Sequence, residues 1–326
     1  MRGKIRFGRI FGRALLTMIL LMGAFLSIQY AWNGEAPSNK PDLALLAHRA
    51  VHHDYQRGVY DVKTGCEARH IFPPTHTYFG NTIPSITAAF AYGADIVEID
   101  IRKTADNHLM VYHDFQLACR TNGEGLVRDQ NVAYLKTLDV GYGYTADSGA
   151  TYPLRGKGRG LMSTLEEVLE TFPGKCFLLD HKDWDQASLD LLVDVLECIP
   201  PTQRSRLYFW SNPDFQRQMQ RHFPKVNPLF LTRKQAREEF GAFFLSFGMI
   251  GISDEYVGRA MALPAAHLPY VWGWPYRFLN RVHAEGLKFY LMVDDPVLAR
   301  SLAHLPVDGF ITDHIETVGP ALLPVP

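Results

Sequence analysis

Short apolar stretches alternate with amphipathic stretches along most of this 326-residue chain. The apolar stretches are typical of buried strands, and the amphipathic stretches have the period of surface helices. About eight strand–helix units of this kind follow one another, which favours a parallel sheet. Eight such units closing on themselves form a TIM barrel, so we predict an α/β fold of that type. A doubly wound open sheet is the alternative, although no glycine-rich dinucleotide motif follows the first strand.

The strands and helices that support this prediction are spread over residues 43–312. Strands are predicted at Leu43–His48, from Asp95 onward, and at Cys176–His181, Arg206–Trp210, Pro228–Thr232, Met249–Ser253, Leu287–Val293 and Val307–Thr312. Helices are predicted at Thr82–Gly93, Thr164–Phe172, Gln186–Cys198, Asp214–Phe223, Gln235–Phe247, Arg277–Glu285 and Val297–His304.

The segment Asp95–Asp114 is predicted to be a strand, a turn and a second strand. Apolar and polar residues alternate in its first half, which places Glu98 and Asp100 on the same side of the strand. Two like charges at that spacing repel strongly unless a cation lies between them. His113 follows at the end of the second strand. An acid pair with a nearby histidine indicates metal-assisted chemistry, and a solvated strand face with a surface histidine is the alternative.

Other polar side chains follow the predicted strands at their carboxyl ends. His48 and Arg49 follow the first strand, and Asp180 and Lys182 lie at the end of a later one. In a TIM barrel the carboxyl ends of the strands meet on one rim, where the functional side chains lie. We therefore predict that these groups and the acid pair form one site.

The N-terminal region combines positive charge with a long uncharged run. Basic residues occur throughout residues 1–13, no acidic residue precedes Glu35, and residues 14–32 carry no charge. That run is long enough to span a bilayer as a helix, and a cleaved signal peptide is the alternative. The positive-inside bias then predicts a single-pass membrane protein with a cytoplasmic N-terminus and a periplasmic or extracytoplasmic domain. The predicted organisation is a basic N-terminus 1–13, a transmembrane anchor 14–32, a linker 33–42, a catalytic domain 43–319 and a tail 320–326.

An irregular segment at residues 51–80 is inserted after the first strand. A long connection without periodicity is usually a lid or a binding loop, so we expect it to fold over the barrel mouth. A passive surface loop is the alternative. Its histidines do not match the spacing of a zinc site; they are His52, His53, His70 and His76.

Four cysteines are present, which allows three pairings of two disulfides. Cys66 and Cys119 would lie in loops over the catalytic rim, whereas Cys176 and Cys198 would lie toward the opposite rim. This placement favours the pairs 66–119 and 176–198. Four free thiols remain the alternative.

Six short motifs resemble the glycerophosphodiester phosphodiesterase family in their order and in most spacings. They are HR at 48–49, NT at 81–82, EID at 98–100, HD at 113–114, RTNGEG at 120–125 and DGFITD at 308–313. The likeness extends from Leu43 to Glu316 and implies a TIM barrel. It also implies metal-dependent hydrolysis of glycerophosphodiesters to glycerol 3-phosphate and an alcohol. The chain departs from the usual pattern at Ala50, where the family has glycine, and at Asp180, where glutamate is usual.

The resemblance assigns a divalent cation to three carboxylates. Glu98, Asp100 and Asp180 are hard oxygen ligands of the kind that Mg²⁺ and Ca²⁺ prefer, so we expect one of these two ions. The resemblance further implies that His48 and His113 divide the work of general acid and general base. The sequence leaves open which histidine has which role.

Two cations are expected to bind the phosphodiester. Arg49 can contact phosphate oxygens through two parallel N–H groups, and Lys182 can add a compact positive charge. The predicted partners are a small-molecule or lysolipid phosphodiester and, through the N-terminal helix, a membrane. A net charge of −1 gives no electrostatic reason to expect nucleic acid.

Two alternatives to this function remain. A lysophospholipase D or phospholipase D-like enzyme would act on lipid phosphodiesters with the same residues. A membrane-anchored phosphate-binding or scaffold barrel would be a protein without catalysis.

Overall fold

The computed structural model describes residues 2–31, 34–37, 39–58, 65–226, 228–246 and 256–323. Its strands are β1 Ala44–Ala47, β2 Ile96–Lys103, β3 Leu109–Val111, β4 Cys176–His181, β5 Leu207–Trp210, β6 Ala260–Pro264, β7 Lys288–Met292 and β8 Gly309–Thr312. The predicted strand at Met249–Ser253 lies outside the described residues.

The α-helices lie mostly between consecutive strands. They are α1 Arg2–Ala31, α2 Ile83–Ala91, α3 Val132–Leu135, α4 Leu165–Thr171, α5 Gln186–Glu197, α6 Pro201–Arg204, α7 Pro213–His222, α8 Arg233–Leu245, α9 Tyr276–Ala284, α10 Pro296–Leu302 and α11 Ile315–Leu322. Thr82 and Thr164 begin α2 and α4 with capping boxes. Each threonine side chain accepts a backbone N–H of the first turn, and the side chain of Ser85 or Glu167 accepts the backbone N–H of that threonine.

The parallel strands follow one another in chain order around a curled sheet. The strand order is β5-β4-β2-β1-β8-β7-β6, and β3 pairs with β2 in an antiparallel hairpin. The first strand, β1, pairs in parallel with both β2 and the last strand, β8. A doubly wound open sheet would separate the first and last strands, so this pairing confirms the predicted parallel α/β fold as TIM-barrel-like.

The two faces of the sheet bury different groups of side chains. Val97 and Ile99 belong to the large cluster that includes helix residues, whereas their neighbour Ile96 belongs to a small cluster made mainly of strand residues. Leu178 of β4 and Tyr290 of β7 lie in the same small cluster, which is the interior of the curl. Alternation then places Glu98 and Asp100 on the inner face beyond Ile96.

The inserted segment, as far as it is described, packs as part of the protein. Ala68, Ile71 and Phe79 are buried in a third apolar cluster with residues of 110–162. His53 is also buried, and its ring stacks on that of His76 with centroids 4.4 Å apart. Burial and then the neighbouring His76 lower the pKa of His53 to about 3. Residues 59–64 of the insertion lie outside the description.

We expect the free energy of unfolding to decrease through His53 as the pH falls from 6.5 toward 3. Its pKa is about 3 in the folded protein and 6.5 in the unfolded chain, so in this window the unfolded state binds the extra proton. The loss is about 1.4 kcal/mol per pH unit, or roughly 2 kcal/mol between pH 6.5 and 5. Urea denaturation at a series of pH values measures it. His53→Gln should remove this part of the slope, and equal slopes in both proteins would contradict the assignment.

The predicted membrane anchor at residues 14–32 is wrong. Residues 2–31 form the helix α1. Across the described residues, however, no helix combines the length and the apolar character needed to cross a bilayer. The side chains of residues 2–12, 14 and 29–31 lie outside the description. The single-pass membrane location predicted from this segment is therefore contradicted.

The cysteines divide into one pair and two free thiols. Cys66 and Cys119 form a disulfide, as the rim placement favoured. Cys176 and Cys198 are free, so the second favoured pair is wrong. Cys176 is half-buried against the interior cluster at the start of β4, whereas Cys198 is exposed at the end of α5. Their side chains therefore lie in different environments.

Candidate active site

Three carboxylates meet where the interior face of the sheet reaches the carboxyl ends of β2 and β4. Asp100 and Asp180 are direct partners in the parallel pairing of these strands. Glu98 lies two residues before Asp100 and therefore on the same face. One oxygen from each of the three carboxylates lies within 4.8 Å of the others. The structure thus brings the three predicted metal ligands together.

The electrostatics of this cluster fit a cation. Glu98 is 3% exposed, and its Oε2 accepts the backbone N–H of Arg49 at 2.8 Å. Its buried Oε1 has no hydrogen-bond partner among the described residues. Burial and the adjacent Asp100 raise the pKa of Glu98, and burial also raises the pKa of Asp180. A site for a hard cation is expected to look like this when the ion is absent: its acids are buried, their charged form is disfavoured, and a carboxylate oxygen is available to bind the ion.

Asp100 is fixed in orientation by Asn81. The Asn81 side-chain amide donates to Asp100 Oδ2 at 2.7 Å, and its oxygen accepts the Asp100 backbone N–H at 2.9 Å. Asn81 has φ 65°, a left-handed conformation that asparagine adopts more readily than most residues. These two bonds involve Oδ2 and the backbone N–H of Asp100, so Asn81 does not occupy Oδ1.

Lys182 lies among the carboxylates. Its ammonium is 2.8 Å from Asp100 Oδ1 and also pairs with Asp180. Burial would lower the pKa of Lys182, but Asp100 and Asp180 raise it above its ordinary value. The same ammonium and Arg49 hold the pKa of Asp100 well below its usual range although burial alone would raise it. The predicted contact of Lys182 with phosphate therefore stays a prediction.

Arg49 is held in a left-handed turn directly after β1. Its φ is 55° and that of Ala50 is 62°, a region in which residues with a Cβ are uncommon. The side chain reaches Glu67 Oε2 at 2.9 Å and His113 Nε2 at 2.7 Å. Its Nε lies 3.6 Å from Asp100 Oδ2. The turn thus places the guanidinium of Arg49 between the end of β1 and the residues of β2 and the end of β3 that it contacts.

The contacts of His113 define its protonation. A guanidinium only donates, so His113 Nε2 accepts from Arg49 and carries no proton. Its Nδ1 then donates to Asp114 Oδ1 at 2.7 Å. Burial lowers the pKa of His113, and Asp100 and Asp114 offset this only in part. Arg102 Nε donates to the His113 backbone oxygen at 2.8 Å and helps to fix this turn.

His48 faces a different acid. Its Nδ1 lies 2.5 Å from Asp313 Oδ1, at the end of β8. Burial would lower the pKa of His48, but the Glu98 carboxylate and the bond to Asp313 raise it overall. His52 is close to the same acid, with Nε2 3.9 Å from Asp313 Oδ1. Arg57 also pairs with Asp313, and this group offers one carboxylate and two imidazoles, so it fits a hard cation less well than the three carboxylates.

All seven predicted site residues therefore lie on one rim, and four further residues contact them directly or through one intermediate side chain. Three of these four lie in the sequence motifs named above but have no predicted role, and the fourth, Glu67, is not predicted from the sequence. The four are Glu67, Asn81, Arg120 and Asp313. Their partners are distant in the sequence, so only the motif resemblance could have drawn attention to them.

This chain is similar to known proteins in both sequence and structure. YhdW of Bacillus subtilis, a predicted glycerophosphodiester phosphodiesterase, is 25% identical over 247 residues, which are 73% of this chain and 90% of that protein. A glycerophosphoryl diester phosphodiesterase domain from Mycobacterium tuberculosis has a similar structure, with a TM-score of 0.62 and 19% identity, over 86% of this chain and 98% of that one.

A third similar structure is a phosphodiesterase of Oleispira antarctica in complex with the product sn-glycerol-3-phosphate. Its TM-score is 0.56 at 19% identity, over 86% of this chain and 96% of that one. At such identities the structural likeness shows the fold. The model of the glycerophosphoryl diester phosphodiesterase family matches residues 48–317, which include every residue of the rim described above. The chain therefore belongs to the glycerophosphoryl diester phosphodiesterase family and is a phosphoric diester hydrolase of that class.

Proposed function

We propose that this enzyme hydrolyses glycerophosphodiesters to glycerol 3-phosphate and an alcohol, with a divalent cation and two histidines. The observation that carries the proposal is the cluster of Glu98, Asp100 and Asp180 on the rim that also holds His48 and His113. One buried Glu98 oxygen in this cluster has no hydrogen-bond partner in the part of the chain that the structure describes. Its hard oxygen ligands favour Mg²⁺ or Ca²⁺. Such an ion, when bound, offsets negative charge on the phosphoryl oxygens.

The chain's own cations would bind the phosphodiester. Arg49 presents two N–H groups in a fixed fork, which matches two phosphate oxygens. Burial would lower the pKa of Arg49, but Asp100 and Glu67 raise it above the ordinary value, so the guanidinium is charged at every working pH. Lys182 now pairs with Asp100 and Asp180, and its ammonium is close enough to the cluster to contact a substrate there.

The contacts of the histidines suggest their separate roles. His113 Nε2 carries no proton, so once Arg49 turns from it to the phosphodiester, His113 would accept the proton of the attacking oxygen as general base. Asp114 orients its ring through Nδ1. His48, whose pKa is raised and whose Nδ1 is bound to Asp313, would give a proton to the leaving alkoxide as general acid. Two histidines in different surroundings can divide acid and base work at one pH.

We also propose that the barrel closes through residues 228–232 and that the insertion borders its mouth. Phe230 makes a parallel bridge to Ala260 of β6, and Leu229 and Phe230 lie in the interior cluster. This supports an eighth parallel segment between β5 and β6. Glu67 of the insertion touches Arg49, which supports a position of the segment beside the substrate.

The function is tested by product analysis with the purified protein and a panel of substrates. Glycerophosphocholine, glycerophosphoethanolamine and lysophosphatidylcholine are incubated with Mg²⁺ or Ca²⁺. Release of glycerol 3-phosphate from the first two is the expected result. Hydrolysis of the lysolipid alone would favour the lysophospholipase D alternative, and no hydrolysis of any diester would contradict the proposal.

A further inference from the structure

We propose that Glu67, a residue of the insertion, is a positioning residue for Arg49 and His113, and that the adjacent disulfide holds it in place. This inference rests on the proposed function because it concerns the residues that bind and activate the phosphodiester. It gives the inserted segment a part in the reaction itself.

Five side chains form a closed ring of hydrogen bonds, called here the charged ring. Glu67 Oε2 accepts from Arg49 Nη1 at 2.9 Å and also pairs with Arg120. Arg120 Nε donates to Asp114 Oδ2 at 2.9 Å, and Asp114 Oδ1 lies 2.7 Å from His113 Nδ1. Arg49 Nη2 closes the ring on His113 Nε2 at 2.7 Å. Both nitrogens of the proposed base are thus held by groups that meet at Glu67.

The charged ring is largely removed from water. The side chains of Arg49 and Glu67 are 11% and 15% exposed, so their attraction is screened less than that of a surface pair. Burial would raise the pKa of Glu67, but Arg120 and Arg49 lower it to about 2. Glu67 is therefore a carboxylate at any pH at which the enzyme works. Without it, two guanidiniums would lose a shared buried partner and would rearrange.

The disulfide joins the two chain segments that meet in this ring. Cys66 directly precedes Glu67, and its partner Cys119 directly precedes Arg120. A backbone bond from Thr145 to the oxygen of Ala68 supports the same turn. The covalent link therefore keeps the segments of Glu67 and Arg120 together, which reduces the entropy cost of holding the ring.

The first test replaces the charge and keeps the shape. In the full-length protein, Glu67→Gln should lower kcat by about 10- to 100-fold, because a small displacement of a catalytic group costs that much. KM should stay the same or fall, since the variant removes an acid beside an anion-binding arginine. Arg69→Gln, on an exposed residue of the same turn, is the matched control and should leave both constants unchanged. Unchanged kcat in Glu67→Gln, or a rise in KM that accounts for the whole loss, would overturn the inference.

Two further measurements separate positioning from general loosening. The double variant Cys66→Ser, Cys119→Ser should show the same loss in kcat, and adding Glu67→Gln should cost less than the sum of the two effects. Full additivity would overturn the role of the disulfide.

Nitrogen NMR of the His113 ring gives a readout without turnover: the tautomer with Nδ1–H should dominate in the wild-type protein and lose its dominance in Glu67→Gln. If the wild-type protein is inactive and Glu67→Gln still changes the tautomer, the result would count against the proposed function and leave the positioning of His113 supported. If the tautomer is the same in both proteins, the positioning role of Glu67 would be overturned.

Discussion

Chelation of divalent ions should abolish phosphodiester hydrolysis, and Mg²⁺ or Ca²⁺ should restore it. The three carboxylates of Glu98, Asp100 and Asp180 converge within 4.8 Å, and two of them have raised pKa values that a cation would return toward normal. Glu98→Gln should lose ion binding in titration calorimetry and lose turnover, while its circular dichroism spectrum stays that of the wild-type protein.

A matched control for this experiment is Glu170→Gln, which neutralises an exposed acid on α4. It should keep both the affinity for the ion and the rate. Full activity of the wild-type protein in excess chelator would show that the carboxylate cluster has another purpose.

His48→Ala and His113→Ala should each lower kcat by about 10²- to 10⁴-fold, the usual contribution of a general acid or base. Both variants should still bind the ion, because neither ring belongs to the carboxylate cluster. The two roles can be separated with a nitrophenyl phosphodiester, whose leaving group needs no proton. That substrate should restore most of the rate of His48→Ala and little of the rate of His113→Ala.

His108→Ala serves as the control, because this histidine is about half exposed and pairs with Glu166 away from the rim. Its kcat should equal that of the wild-type protein. Restoration of His113→Ala in place of His48→Ala would reverse the proposed roles, and near-normal rates in either variant would remove that histidine from the mechanism.

Local patterns were sufficient to predict most of the strands and to predict that the acidic side chains lie close together. The alternation around Glu98 and Asp100 defines a face whatever lies elsewhere in the chain, and the parallel order then brings Asp180 opposite Asp100. The same logic failed for β6 at Ala260–Pro264, because a short segment that ends in proline and runs into a 3₁₀ turn lacks a clear period.

Contacts between distant residues could not be predicted. His48 and Asp313 are 265 residues apart, and no local pattern connects them. Glu67 lies in an irregular segment, so neither its direction nor its contact with Arg49 follows from periodicity. The error at residues 14–32 has another origin: the prediction rests on the length of an uncharged run after basic residues, whereas no helix of the described residues is long and apolar enough to cross a bilayer.

Asp100 and Asp180 lie directly opposite each other on neighbouring strands, an arrangement that weakens strand pairing where the charges are alike. Lys182 relieves part of this repulsion, and a bound cation would relieve more. A ligand that binds only the folded chain at 100 times its Kd adds about 2.7 kcal/mol of stability. The concentration of the ion around the protein would therefore govern how quickly proteases degrade it as well as how fast it works. Supply of a single ion would then control both the amount of enzyme that survives and the rate of each molecule.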